Sequence, residues 1–295
     1  SSNIAAYDEG YARSLGYSDA DIAGALRNGP VGSGDSFNPN YAPVSPSYTG
    51  QQYYWGGTHD RRDGGFINER ENYFSKPQVN LNWYLTINDR LKVNSVFYFS
   101  GGKGGGSGTL NNTEGQYGFN SSSRAFARYP NSDPLYGSNI DWDATIAANV
   151  GTSTVRGDRT KPAGQSLGIL RNSVNNQDQY GIISKVSYEV DDRILLTAGL
   201  DWRTAEVAHF REVRDLLGGN YYLPAPGQFS DFSPAGANTR LGLGDKVDYN
   251  NTNTIDWLGF FFQGQYEEGP INAFATYAYS VIDYSYVDHF RKTGS

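Results

Sequence analysis

The chain has 295 residues, 15 % of them aromatic, with 36 glycines and a net charge of −7 from 24 Lys and Arg against 31 Asp and Glu. The aromatic content argues against disorder, the glycine against a mostly helical fold, and the acidic balance without a basic block against a nucleic-acid partner. Cysteine is absent, which excludes disulfides and thiolate chemistry, and the three histidines, His59, His209 and His289, lie far apart and leave little material for a His-rich metal centre, so no metal or cofactor is expected.

Residues 1–72 read as a polar, glycine-rich loop region. Within it Asn3–Leu15 and Ser18–Leu26 carry apolar residues at helical spacing, and Ser18 with Asp21 resembles a capping box. Strict alternation follows. Val79, Leu81, Trp83, Leu85 and Ile87 interleave with Gln78, Asn80, Asn82, Tyr84 and Thr86, which gives a strand with one apolar and one largely polar face. After the turn at Asn88-Asp89-Arg90 the pattern resumes with Leu91, Val93, Phe97 and Phe99, so residues 73–106 form a predicted hairpin. Residues 107–176 read as a second long loop with a short helix at Asp141–Asn149.

A second hairpin is expected over residues 177–210, turning at Asp191-Asp192. Its apolar positions are Tyr180, Ile182, Val186 and Tyr188, then Ile194, Leu196, Ala198, Leu200 and Trp202. Residues 211–253 read as a third loop, and residues 254–290 as a third hairpin that turns at Glu267-Glu268-Gly269-Pro270. Phe261 and Phe274 break its alternation.

Every short turn joins strands at one end, and every long segment joins them at the other. No stretch reaches the roughly 18 apolar residues of a membrane helix. Alternating strands suit either a soluble sandwich or a transmembrane barrel. Three features favour the barrel: strands of about ten residues or more, segregated turns and loops, and aromatics near strand ends at Tyr73, Phe74, Tyr98, Phe99, Trp202 and Trp257. About six strands are expected, fewer than the roughly 8 of the smallest outer-membrane barrel. A sheet edge open to lipid leaves backbone groups unpaired. The expectation is therefore an all-β, antiparallel barrel segment of a larger barrel. The absence of methionine agrees with a processed or partial chain.

Several stretches are similar to one family. They are Phe37-Asn38-Pro39-Asn40, Glu69–Gln78, Tyr98–Gly106, Ile169–Asn176 followed by Tyr180-Gly181, and Arg211–Gly219. In this order they resemble TonB-dependent outer-membrane receptors, closest to those of Bacteroidota-type Gram-negative bacteria. The resemblance implies a barrel of about 22 strands with a plug in its lumen. It also implies active uptake of a scarce nutrient such as a siderophore or glycan, with outer-membrane lipid, the protein's own plug and TonB as partners. Short turns would then lie in the periplasm and long loops outside the cell. Two other readings stay open: a structural or adhesive outer-membrane component without transport, and a secreted glycan-binding β-sandwich.

No enzyme is expected, because no nucleophile elbow is present. Gly101–Gly108 does not make a phosphate loop, since Lys103 is followed by glycine. Asn139, Asp141 and Asp143 lack the rest of a calcium loop, so capping is the better reading. Asp60, Arg61, Arg62 and Asp63 beside His59 read as local ion pairs, with an anion site as the alternative. The ligand candidates are the loop aromatics Tyr53, Tyr54, Trp55, Tyr221 and Tyr222, whose rings can stack on a ligand. Lys185, Asp201 and Arg203 are expected to face the lumen. Val79, Leu81, Trp83, Leu85, Leu196 and Leu200 are expected to face lipid.

Overall fold

The computed structural model describes residues 9–20, 22, 40–111, 125–130, 133, 136–156, 159–224 and 240–290. A short helix, α1 (Glu9–Ser14), comes first. It lies inside the predicted Asn3–Leu15 helix, whose first residues fall outside the described set, as does most of Ser18–Leu26. Five short strands follow: β1 (Tyr41–Pro43), β2 (Gln51–Tyr54), β3 (Gly57–Asp60), β4 (Phe66–Asn68) and β5 (Asn72–Ser75). The first long hairpin is β6 (Gln78–Asn88) and β7 (Leu91–Asn111). Next come α2 (Trp142–Val150) and the short strands β8 (Ser153–Arg156), β9 (Arg159–Lys161) and β10 (Gln165–Ser166). The second long hairpin is β11 (Gly168–Glu189) and β12 (Ile194–Asp215). After β13 (Tyr221–Tyr222) comes the third, β14 (Lys246–Glu268) and β15 (Ile271–Asp288).

The fold is mostly β, built on one large antiparallel sheet of long strands in the order β15-β14-β12-β11-β7, with β5 and β6 both paired to β7. β5 and β6 form a single stave broken at Lys76-Pro77. Pro77 has no N–H to give the ladder, but its carbonyl accepts from Gly101 N at 2.9 Å and carries the pairing past the break. The sheet does not close on itself: β15 and the β5–β6 stave are its two edges.

The strands run well beyond the alternating stretches. Residues 107–111, 168–176, 211–215 and 246–253 are paired strand rather than loop. Glycine and asparagine weaken strand propensity, so these stretches read as loop. In the fold, Gly102–Gly108 pair residue for residue with Arg171–Gln177, and this pairing overrides propensity. Glycine is required where a neighbour's ring lies over the strand. A Cβ on Gly181 would sit 2.4 Å from the Tyr98 ring, and one on Gly199 would sit 2.0 Å from that of Phe261.

Register fixes the two faces, since directly paired residues share a side. Leu81–Phe97–Ile182–Trp202–Leu258–Val281 is one continuous row, and Leu85–Val93–Val186–Ala198–Phe262–Tyr277 is another. All these residues point one way. The opposite face carries rows such as Tyr98–Gly181–Arg203–Trp257. Asn88 Oδ1 accepts the N–H of Arg90 and of Leu91, and Asp191 Oδ1 those of Arg193 and Ile194, which closes the two turns. Lys92–Glu189 at 3.2 Å and Arg193–Glu268 at 2.8 Å link neighbouring hairpins at this end.

The far ends of the strands are capped on both faces. Consecutive residues on β11 point to opposite sides, and Leu170 and Ile169 enter two separate cores. Leu170 packs with Phe126, Ile140, Trp142 and Leu217, and Ile169 with Val213, Tyr222, Leu241 and Val247. The first core holds α2 as predicted. Asp141 is its N-cap, accepting from Ala144 N at 3.0 Å. At its C-terminal end the Lys161 ammonium donates to the carbonyls of Asn149 and Gly151, where the helix dipole favours a cation.

Gly199→Val is expected to push Phe261 off the sheet and destabilise it by about 1–3 kcal/mol, read from loss of β-sheet circular dichroism in denaturant. Adding Phe261→Ala should restore most of that loss. A single variant as stable as the parent contradicts the packing described.

Candidate functional site

The strand ends bring together groups that lie far apart in sequence. At the tip of β12, Arg214 is 4 % exposed. It pairs with Glu71, donates to Gln52 Oε1 at 3.0 Å and Asn172 Oδ1 at 3.3 Å, and lies 5.0 Å over the Tyr54 ring. Asn172 Nδ2 donates to the Tyr53 carbonyl at 2.7 Å and to Glu212 Oε1 at 3.2 Å, and Lys246 pairs with Glu212 at 2.8 Å. Asp215 accepts from Tyr48 Oη at 2.7 Å, Gln52 Nε2 at 3.1 Å and Leu217 N at 2.8 Å. Burial is the largest influence on Asp215 and holds its carboxyl above the usual range, against the pull of those donors. This network pins β2 and the segment around Tyr48 onto the sheet. Its role is anchorage.

Two clefts flank it. The first, about 190 Å³, is lined by Tyr53, Trp55, Tyr73, Phe210, Glu212 and Lys246 among others. Trp55 holds a left-handed backbone at φ 55° and is 46 % exposed, with its ring 4.9 Å from that of Tyr73. Burial pushes the Tyr73 hydroxyl up to about 12, so it stays neutral. The second cleft, about 530 Å³, lies against the glycine-rich stretch of β7. Its polar groups include Asn72, Asn175, Gln177 and His209. Gly102, Gly104 and Gly106 leave bare backbone as its floor, and Phe74 is 74 % exposed at its side.

The sequence-derived ligand candidates separate. Tyr53 and Trp55 meet in the smaller cleft. Tyr54 is stacked on His59 at 4.3 Å and held under Arg214. Tyr221 lines neither cleft and lies beneath Arg240, at 4.4 Å. Tyr222 is fully buried in the second core, so its ring has no surface to offer a ligand, and that assignment is corrected. Lys185, Asp201 and Arg203 share the face opposite the apolar rows, where Arg203 and Asp201 pair and Arg203 lies 5.6 Å from the Trp257 ring. Val79, Leu81, Trp83, Leu85, Leu196 and Leu200 share the other face, each 40–63 % exposed.

The acidic and basic clusters are locally engaged. Asp143 accepts from Ser45 N at 2.8 Å, and Asn139 donates to the Tyr41 carbonyl. Asp63 accepts from Tyr41 Oη and Gly65 N, each at 2.8 Å. Arg61 lies 4.8 Å over the Tyr48 ring. Among the described residues no group of three or more Asp, Glu or His could hold a metal. No protein-family model matches the chain, and no curated protein matches it.

A raised carboxyl in the folded state means that the native protein holds a proton which the unfolded chain has released. Anchorage of the cap should therefore weaken as pH rises from about 4, the ordinary carboxylate value, through the folded-state value of Asp215. Amide exchange at Leu217 and Gly218, corrected for intrinsic pH effects, should show this. Asp215→Asn should flatten the profile, and an unchanged profile in that variant contradicts the role given to Asp215.

Proposed function

We propose that these strands form part of the wall of a transmembrane β-barrel in a Gram-negative outer membrane, belonging to a TonB-dependent receptor that takes up a scarce nutrient. The observation that carries the reading is the continuous apolar face, which runs across all the long strands with no second layer over it among the described residues. Val79, Leu81, Phe262, Tyr277 and Ile271 are each more than half exposed on it. No second sheet packs on it among the described residues, as a soluble sandwich would require.

The height of the band suits a bilayer. It spans Tyr180–Tyr188 on β11 and Ile194–Trp202 on β12, close to the 9–11 residues with which a tilted strand crosses hydrocarbon. Its upper border is abrupt. On the same face Asp256 stands directly opposite Asp283, and Asp178 opposite Glu206. Like charges placed so are unfavourable and belong in water or at headgroups. The Phe99 and Tyr180 rings, 5.0 Å apart, lie just below that border, where an aromatic girdle is expected. The opposite face, with the Arg203–Asp201 pair and Lys185, suits a watery lumen. In lipid both sheet edges must be paired, so further strands flank β15 and β6 in this reading. No helix among the described residues is long and apolar enough to cross a membrane, which leaves the strands to do so.

The capped strand ends would lie outside the cell and the short turns in the periplasm. A non-transporting outer-membrane component would share the wall but have no use for a ligand cleft on the lumen face. That cleft, among Asn175, Gln177 and His209, favours a receptor.

Leu81→Arg and Leu200→Arg should each cost about 2–4 kcal/mol if those positions lie near the bilayer midplane. They should sharply reduce the heat-modifiable folded form in the outer-membrane fraction. Thr197→Arg, on the opposite face, should leave it intact. Equal tolerance of all three, or release of the protein from membranes without detergent, contradicts the reading.

A further inference from the structure

Above the larger cleft, on the same side of the sheet, three guanidinium groups converge. Arg171 and Arg211 both belong to the face that carries Lys185 and Arg203, since Arg171 pairs with Gly108 and Arg211 with Ser173. A Cβ on Gly108 would lie 2.8 Å from Arg171 Nη2 and 3.0 Å from Arg70 Nη1, so both side chains turn into the space that this glycine leaves. Arg211 is paired with Asp248, and Arg70 with Glu69 at 3.4 Å. Arg171 has no carboxylate partner among the described residues. It donates to the Gly106 carbonyl at 3.1 Å, and its Nε is buried with no acceptor. Burial, and then the charges of Arg211 and Arg70, act against its own charge and outweigh the smaller favourable pull of Tyr249 and Asp248.

The cleft beside this cluster has the same bias. Lys76 and His209 line it, and no Asp or Glu does, although the chain carries 31 acidic residues; Lys103 borders it with its backbone, its side chain belonging to the opposite face. Gly106 and Asn72 line its wall, and Arg171 bonds to Gly106, so cluster and cleft are continuous. Along the body of the cleft the side chains of Asn72, Asn175 and Gln177 can each donate and accept, which suits hydroxyl groups. The exposed Phe74 ring offers a stacking surface.

We propose that this cleft binds an acidic oligosaccharide. Its carboxylate or sulfate group sits between Arg171 and Arg70, and its hydroxyls run along Asn72, Asn175 and Gln177. The assignment rests on the polar face lining the lumen, where the ligand enters from the capped end. A guanidinium fork grips two oxygens of either anion with paired hydrogen bonds, and Arg171 gains the anionic partner that it lacks among the described residues. The smaller cleft does not share this bias, because Glu212 lies in it beside Lys246.

The test is calorimetric titration of the whole folded protein in detergent with tetragalacturonate, with a κ-carrageenan tetrasaccharide, which carries sulfate without carboxylate, and with neutral cellotetraose. At least one acidic probe should bind about tenfold or more tighter than cellotetraose, and increasingly weakly as salt is raised. The stronger of the two acidic probes identifies the anion. Arg171→Gln should weaken that binding about tenfold or more, the usual scale for a lost charged hydrogen bond. Arg171→Lys should retain part of it. Arg70→Gln, at a half-exposed position outside the strands, serves if Arg171→Gln does not fold. Equal binding of the neutral sugar, no binding of either acidic probe, or unchanged affinity in folded variants overturns the proposal. Any of these with membrane residence intact removes only the ligand assignment, whereas loss of membrane residence removes the barrel reading itself.

Discussion

A sheet with one apolar face and two open edges has two debts to water: an oily surface and a row of unpaired backbone groups along each margin. Here the apolar face is continuous from Leu81 across to Val281, and among the described residues neither β6 nor β15 has a partner on its outer side. In the barrel proposed above, hydrocarbon would meet the first need and added strands the second. A soluble globule would need a second layer over the band and a cover along each edge. The caps supply neither, because they grip only the upper ends of the strands.

The upper ends depend on a different interaction. Below them the strands are joined by backbone pairing and inter-hairpin ion pairs, whereas the cap adds two apolar cores and a buried charged network. Arg214, Glu71, Asp215 and Glu212 gather residues from β2, β11, β12 and the segment before β5 into one hydrogen-bonded group. Apart from Arg214 Nε, which is buried without an acceptor, its members are hydrogen-bonded to one another, and this fixes where β2 lies on the sheet. That placement sets Trp55 against Tyr73. The neighbouring Arg171 differs: its strand is fixed by pairing on both sides, but among the described residues it forms no ion pair and its Nε has no acceptor.

The sequence made the two faces of the long hairpins legible because a strand writes its environment with period two. Val79 to Ile87 and Ile194 to Trp202 could be assigned to a face before any coordinate was known, and register then placed them together. The upper strands were not legible for the same physical reason. Gly102–Gly108 carries almost no side chain to alternate, and Ile169–Asn176 mixes asparagine with aliphatic residues on both faces because each face meets its own core there. The cleft and the arginine cluster lie in that region. A signal was present: Arg171, Ser173, Asn175 and Gln177 sit at every second position, as do His209 and Arg211. Read as strand, they line one face. The burial of Tyr222 could not be read in this way, since an aromatic in a loop gives no sign of whether it covers a core or a ligand.

The most direct measurement uses the natural absence of cysteine. Single cysteines placed in turn at residues 78–87 of β6, spin-labelled in the membrane-embedded protein, report whether each side chain meets hydrocarbon or water. Val79, Leu81, Trp83 and Leu85 should be accessible to oxygen and shielded from a water-soluble nickel chelate, and Asn80, Asn82 and Tyr84 should show the reverse. Uniform access to the chelate along the strand, or collision with neither reagent at the odd positions, would mean that this face meets water or protein, and the membrane account would fail.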